Sequence, residues 1–194
     1  MLQSLVSGFD LEIPVLLSWD GAMAVVFFFT IYSFLGWLLE NSYNFARKRV
    51  FFKDNFFFGP FKPMYGFAPL LLILLIGKDM HWPVVLLLCF LIPTVVEYFS
   101  GFLLEWFFGR KWWDYSGHKW QLQGHICFSY SVCWIALSLV CLLFVHPGIN
   151  TLYSAVGGYW AWIWPTVALY FLGELLFAIR RHIPEKVRAG NPIQ

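Results

Sequence analysis

Charge is scarce in this sequence. Only 12% of the 194 residues are Asp, Glu, Lys or Arg, whereas 60% are hydrophobic and 22% are aromatic. A soluble domain carries about 25% charged residues, so a chain with this composition exposes more apolar surface than a soluble domain of its length can bury. The composition therefore predicts an integral membrane protein, and without a basic patch we expect no nucleic-acid partner.

Several catalytic and metal-binding signatures are also missing. There is no P-loop, no HExxH and no Ser-His-Asp arrangement, so the sequence predicts neither ATP hydrolysis nor hydrolase chemistry of its own, and no cofactor. Asp114, His118 and His125 do not follow a known ligand spacing, so no metal site is predicted. The four cysteines lack CxxC spacing and are expected to pack inside helices.

The apolar runs predict an all-α membrane fold. Residues 21–45, 82–108, 125–145 and 153–179 each exceed the roughly 20 helical residues that cross a hydrocarbon core of about 30 Å. A further apolar run, residues 61–76, is short, and Pro60, Pro63 and Gly66 interrupt its beginning. We therefore predict five transmembrane helices, of which the second is short and broken. Its irregular part should be buried against protein or water, because unpaired backbone cannot face lipid.

The basic residues predict the orientation. Twelve of the thirteen fall in three segments: between the first and second spans, between the third and fourth, and after the fifth. Only Lys78 lies on the other side. The positive-inside rule then places the N-terminus outside and the C-terminus inside a bacterial plasma membrane. We divide the chain into an amphipathic interfacial segment (1–19), a multi-pass transmembrane domain (20–182) and a cytoplasmic tail (183–194).

One short sequence occurs twice, as GWLLE at 36–40 and GFLLE at 101–105. Both copies lie near the cytoplasmic end of a span and are followed by basic residues. This spacing is compatible with two parallel helix-loop-helix units followed by a fifth helix. In each copy the glycine precedes the glutamate by four residues, so both lie on one helix face and the glycine leaves a notch for a neighbouring segment.

Four acidic residues lie within or at the edge of the predicted spans. Glu40 and Glu105 either bind a ligand at a cytoplasmic pocket or pair with nearby basic residues as structural anchors. Glu97 lies too deep to reach the interface easily and is a candidate for ligand binding and for proton or cation coupling. Glu174 is a second coupling candidate, or else a hydrogen-bonding residue that fixes its helix.

The segment after Glu105 is rich in aromatic and polar residues. It forms either an interfacial aromatic belt that closes a loop, or the rim of a ligand pocket in which the tryptophans face a cation. In the second interpretation the rim comprises Trp112, Trp113, Asp114, Tyr115, His118 and His125.

Five segments carry a resemblance to a known family. YSFLGWLLE, FGPFKPMYG, EYFSGFLLE, WWDYS and GHICF, in this order, resemble the small bacterial membrane proteins of the CmpB type, a family of ABC-transporter permeases. The resemblance runs from about residue 27 to 147. It implies a transport subunit that works with a partner ATPase. This sequence has Gln123 and His125 where we expect the family to have an asparagine and an arginine.

Two functions are therefore open. The first is a permease subunit whose inward-facing acidic and aromatic pocket binds a cation or a cationic, amphipathic solute, driven by an ATPase or by protons. The second is a non-transporting accessory or assembly protein, or an intramembrane enzyme that acts on lipid. Five helices enclose little pathway, so the first function requires a homo-oligomer or a partner subunit within the lipid.

Overall fold

The computed structural model describes residues 18–77 and 79–188, the last five of these through their backbone only. The predicted interfacial segment (1–19) lies almost entirely outside the described residues, as do Lys78 and the end of the predicted tail. The described chain is mostly helical. Its elements are α1 (Trp19–Lys48), α2 (Pro63–Leu75), α3 (Trp82–Phe108), β1 (Gln121–Leu122), β2 (Ile126–Cys127), α4 (Phe128–Val140), a π-helical turn (Cys141–Val145) and α5 (His146–Arg188).

Helices α1 and α3 lie where the apolar runs predicted them. The Ser18 hydroxyl caps α1 by accepting the Gly21 N–H at 3.1 Å, and Arg49 ends it in a left-handed conformation with φ of 57°. Helix α3 has the predicted bounds and ends at Gly109, which has a φ of 67°. With 30 and 27 residues, both helices exceed the length needed to cross a bilayer.

Helix α2 is short, as the prolines predicted. Its 13 residues extend about 20 Å, which is less than the roughly 30 Å of the hydrocarbon core. Pro63 occupies its first turn, where a missing N–H costs nothing. Residues 50–62, which lead into α2, have no regular secondary structure. Gly66 packs so closely on α1 that a methyl group there would collide with the Ser33 hydroxyl and lie 2.5 Å from the Phe29 ring.

The predicted fourth and fifth spans form one continuous helical stretch. Three helices are long and apolar enough to cross a membrane among the described residues: Trp19–Lys48, Trp82–Phe108 and Phe128–Ile183. The third of these has 56 residues, so the interruption that we expected near residues 146–152 is not a break in helical structure.

This stretch is nevertheless not straight. Successive residues of this stretch contact α1 closer and closer to the N-terminus of α1. Later residues contact α1 farther from that end again. In chain order the ring pairs are His146 with Phe28, Trp160 with Phe27, Trp164 with Trp19, and Phe171 with Phe29. A straight helix would pass α1 in one direction only. The helical stretch therefore bends between Trp164 and Phe171, where Pro165 removes a helical hydrogen bond.

One end of the bundle brings the three basic segments together. Arg110, just after α3, is ion-paired with Asp54 in the irregular segment. His182 of α5 lies against Phe108 and Trp112, with ring centroids 6.1 Å and 5.1 Å apart. The segments after α1, after α3 and at the end of α5 thus share one face of the protein.

Candidate functional site

A cavity of about 490 Å³ lies at the end of the bundle where the basic segments meet. Its walls come from α1, α2, α3, α5 and the irregular segment (residues 50–62). The walls are mainly apolar and aromatic, and include Phe29, Phe57, Phe67, Phe171, Leu172 and Leu175. Charged side chains are confined to Glu40, Lys53, Asp54 and Lys62. The cavity is therefore amphipathic, with a charged part and a larger apolar part.

The charged part is organised around Glu40. The Glu40 carboxylate accepts a hydrogen bond from Lys53 Nζ at 2.9 Å and is ion-paired with Lys62 through its other oxygen. Asn41, which is fully buried, accepts the Lys53 backbone N–H at 2.8 Å and so fixes the start of the irregular segment beside α1. Two ammonium groups share one carboxylate in this cluster.

Glu97 does not line this cavity. Its side chain is 2% exposed, and its oxygens accept hydrogen bonds from the Tyr115 hydroxyl at 2.9 Å and the Trp134 indole at 2.7 Å. No ion pair to Glu97 is present among the described residues. Both partners are neutral donors, so the carboxylate is solvated by hydrogen bonds rather than neutralised by a cation.

A small antiparallel hairpin, β1 and β2, positions Tyr115. Asp114 Oδ1 accepts the Ser116 N–H at 2.9 Å, and the hydrogen bonds from Ser116 hold the pKa of Asp114 below its usual range. The Tyr115 N–H bonds to the carbonyl of Gly124, whose φ of 75° suits glycine. Burial, and then the Glu97 charge, raise the pKa of Tyr115 above its usual range, so this phenol remains a donor at neutral pH.

Glu105 and His125 form a third cluster. His125 Nε2 lies 3.2 Å from Glu105, and Lys111 Nζ lies 3.7 Å from the same carboxylate oxygen. Burial lowers the pKa of His125, although the Glu105 charge opposes this effect. The histidine fills the notch at Gly101, where a methyl group would lie 2.9 Å from Nδ1.

Glu174 binds the irregular segment. Its carboxylate accepts the backbone N–H groups of Phe58 at 2.8 Å and Gly59 at 3.1 Å, and the Tyr170 hydroxyl at 2.7 Å. A methyl group on Gly59 would collide with the Tyr170 hydroxyl. The glutamate thus satisfies backbone donors that have no partner in a regular element.

The predicted site residues therefore fall into separate clusters. Glu40, Trp112 and Trp113 line the cavity. Glu97 is joined to Tyr115, and Glu105 to His125. Asp114 stabilises a turn, His118 packs against the Tyr115 and Tyr130 rings, and Glu174 holds the irregular segment. Over the described part of the chain, no group of three His, Cys, Asp or Glu side chains is arranged to hold a metal.

Sequence reasoning missed four contributors to these clusters. Lys53 and Lys62 were read only as indicators of orientation, Trp134 only as part of a span, and Phe171 not at all. The FKP sequence at residues 61–63 was the available signal for Lys62, because a lysine between an aromatic residue and a proline at the start of a span has little access to water.

Comparison with known proteins decides the family. Residues 27–178 match the model of the ABC_trans_CmpB family, described as "Putative ABC-transporter type IV". The chain belongs to this family. No curated protein and no solved structure matches it. Membership in the CmpB family and the three long apolar helices fit a membrane protein of the transport type, as the sequence predicted.

Proposed function

We propose that this CmpB-family protein is a multi-pass transport subunit of the plasma membrane, and that its cavity binds an amphipathic solute from the cytoplasmic side. The observation that carries the proposal is the cavity itself, with apolar walls that reach Phe29 and a charged part at Glu40, Lys53 and Lys62. A volume of about 490 Å³ falls within the range of about 300–1,000 Å³ that is usual for small-molecule sites.

The five-span arrangement is part of the proposal. The three basic segments share one end of the bundle, which the positive-inside rule places in the cytoplasm. We assign two passes to the 56-residue helical stretch, which meet at the bend near Pro165. Helix α2 together with the irregular segment forms the second, broken pass, whose backbone is satisfied by Glu174 and by Asn55.

The ion pairs of Glu40 narrow the choice of solute. We predicted a cation or a cationic, amphipathic solute, but Lys53 and Lys62 already neutralise the Glu40 carboxylate. The amphipathic character is supported by the large apolar part of the walls, because an apolar group gains free energy when it is buried there. Glu97, which has only neutral donors, is the residue that we assign to proton coupling.

Small size argues for partners. The cavity is shared by four helices and one irregular segment, so a single chain has little room for a continuous pathway. We therefore include a homo-oligomer or a second subunit in the proposal, with an ATPase as the expected source of energy for this family.

The test is transport by reconstituted protein. Vesicles that contain the protein, with and without copurifying subunits, are loaded with a fluorescent single-chain amphiphile, and its movement between leaflets is followed by chemical quenching. Ser100→Phe places a ring in the cavity, whereas Val95→Phe places the same ring on the exposed face of α3. We expect Ser100→Phe to abolish movement and Val95→Phe to retain it.

The alternative function remains a non-transporting accessory protein or a lipid-acting enzyme. Its support is that Glu40, Glu97, Glu105 and Glu174 each have partners that a purely structural role would require. Amphiphile binding without movement in any vesicle preparation would favour this alternative, and chemical change of the bound lipid would favour the enzyme.

A further inference from the structure

The cluster around Glu40 carries more positive than negative charge. Lys53 and Lys62 both contact the Glu40 carboxylate, so one ammonium charge is left without a counterion. The Lys62 side chain is 12% exposed and that of Lys53 is 33% exposed, so water compensates this charge only in part. A charge with limited hydration beside apolar walls is stabilised by a group of opposite sign.

The neighbouring polar groups do not supply that group. Asp54, the other acid that lines the cavity, acts electrostatically on Lys62 but is itself ion-paired with Arg110. The Asn55 amide donates to the carbonyls of Gly59 and Phe61, which fixes its orientation. The charges around the cavity therefore sum to one positive charge at the Glu40 cluster.

The apolar part of the cavity is elongated, so it fits an alkyl chain better than a ring system. Glu40 and Phe29 are eleven residues apart on α1, which is about 16 Å along the helix, and both line the same cavity. At the far end the Phe29 ring lies 5.0 Å from Phe67 and 5.1 Å from Phe171. The volume of about 490 Å³ suits one extended alkyl chain better than the two chains of a phospholipid.

Resting on the proposed binding function, we infer that the ligand is a single-chain amphiphile with one negative charge, namely a long-chain carboxylate. Its headgroup lies between Lys53 and Lys62, opposite Glu40, and its alkyl chain extends along the aromatic wall toward Phe29. Each ammonium then contacts two carboxylates, and the cluster becomes neutral. Burial of the alkyl chain removes its methylene groups from water and so adds to the affinity.

The sign of the charge is tested with three hexadecyl probes of the same chain length. Full-length protein in neutral detergent is titrated with palmitate, hexadecanol and hexadecyltrimethylammonium, and binding is measured by calorimetry. We expect palmitate to bind at least tenfold more tightly than the other two. Preference for the ammonium probe would overturn the inference while leaving an amphiphile-binding cavity, and hence the proposed function, in place.

Two variants of the cluster should act in opposite directions. Lys53→Gln leaves the Glu40–Lys62 pair intact and removes the excess charge, so palmitate affinity should fall tenfold or more. Glu40→Gln increases the positive charge, so palmitate affinity should be retained or rise. Lys119→Gln, an exposed lysine outside the cavity, is the control and should change nothing. Loss of binding in Glu40→Gln with retention in Lys53→Gln would overturn the inference.

A cavity-blocked variant separates this inference from the proposed function. If palmitate binds equally to wild type and Ser100→Phe, it binds outside the cavity, and the inference is wrong. Loss of amphiphile movement in Ser100→Phe would then still support the proposed function. If Glu40→Gln does not fold, Lys53→Gln still decides the matter, since it leaves a one-to-one ion pair. Equal palmitate affinity in Lys53→Gln and wild type would then contradict the inference alone.

Discussion

Trp134 of α4 donates its indole N–H to Glu97 of α3 at 2.7 Å, so the deepest acid of the bundle is tied to the helix packed against it. The Tyr115 hydroxyl, from the loop before the hairpin, completes the arrangement. Helix α3, helix α4 and the loop between them thus meet at one carboxylate. No lysine or arginine contributes to this contact in the described structure.

Glu97→Gln should leave the protein stable. The glutamine oxygen can accept from Trp134, and its amide can donate to the Tyr115 hydroxyl, which accepts as well as donates. Glu97→Ala should lower the free energy of unfolding by about 2–5 kcal/mol, because it leaves two buried donors without an acceptor. Thermal unfolding in detergent measures both changes.

Glu97→Gln also tests proton coupling. If Glu97 carries the proton, Glu97→Gln should bind the amphiphile normally but lose pH-dependent transport in vesicles. A fully active Glu97→Gln variant would limit Glu97 to a structural role.

Glu174→Ala should loosen the irregular segment. The change removes the acceptor for the Phe58 and Gly59 N–H groups, and each buried donor left unpaired costs about 1–3 kcal/mol. Hydrogen exchange should become faster at these two amides and remain unchanged in α3. Tyr170→Phe is the matched control, because it removes one donor to the same carboxylate but leaves both backbone bonds. Equal protection in wild type and Glu174→Ala would contradict this role.

Gly66→Ala should separate α2 from α1. The added methyl group would collide with the Ser33 hydroxyl and the Phe29 ring, and overpacking of this kind costs about 1–3 kcal/mol. Gly148→Ala is the control, since nothing lies within 4 Å of the position where its methyl group would be. The melting temperature should fall in the first variant only. Equal melting temperatures would show that the two helices can move apart without cost.

Cysteine labelling in intact cells should establish the number of passes. In the five-span arrangement, cysteines at Asp79 and Thr166 react with an impermeant reagent from outside, and a cysteine at Lys119 reacts only after permeabilisation. A cysteine-free background avoids labelling of Cys133, which is exposed. Protection at Thr166 would indicate that the 56-residue helical stretch crosses the membrane only once.

His125 should make the protein sensitive to acid. Burial lowers its pKa, so the unfolded chain binds a proton more readily than the folded one as pH falls below about 6.5. Stability is therefore present at neutral pH and declines as pH falls from there toward the lowered pKa. His125→Gln should reduce this decline, as measured by melting temperatures between pH 7 and pH 5. His81→Gln, at an exposed position at the other end of α3, should behave like wild type.

Helices were more predictable than the contacts between them. The bounds of α3 and the short length of α2 follow from hydropathy and from proline positions, which are local properties. The continuous helical assignment from Phe128 to Arg188 was not predicted. The interruption that we expected at residues 146–152 is bridged by the π-helical turn Cys141–Val145, after which the His146 N–H bonds to the Cys141 carbonyl.

The sequence identified the glutamates as candidates because they lie in apolar segments. It did not identify the residues that pair with them. The Glu40 pairs with Lys53 and Lys62 depend on the path of residues 50–62, which no periodicity specifies. Glu174 reaches Gly59 over a separation of 115 residues. The prediction that each glycine leaves room for a neighbouring segment was correct, because the Tyr65 side chain packs on Gly36 and the His125 side chain packs on Gly101. Which side chain enters each notch required the folded structure.

The position of α5 in the cavity wall has a consequence for synthesis. Phe171, Leu172 and Leu175 complete the cavity, and Glu174 on the same helix satisfies the backbone of the irregular segment. These residues are synthesised after the rest of the cavity wall, so a nascent chain that ends before them has neither a closed binding site nor a partner for the Phe58 and Gly59 amides. Premature termination before Phe171 should therefore yield a polypeptide that quality-control proteases remove rather than one with partial activity.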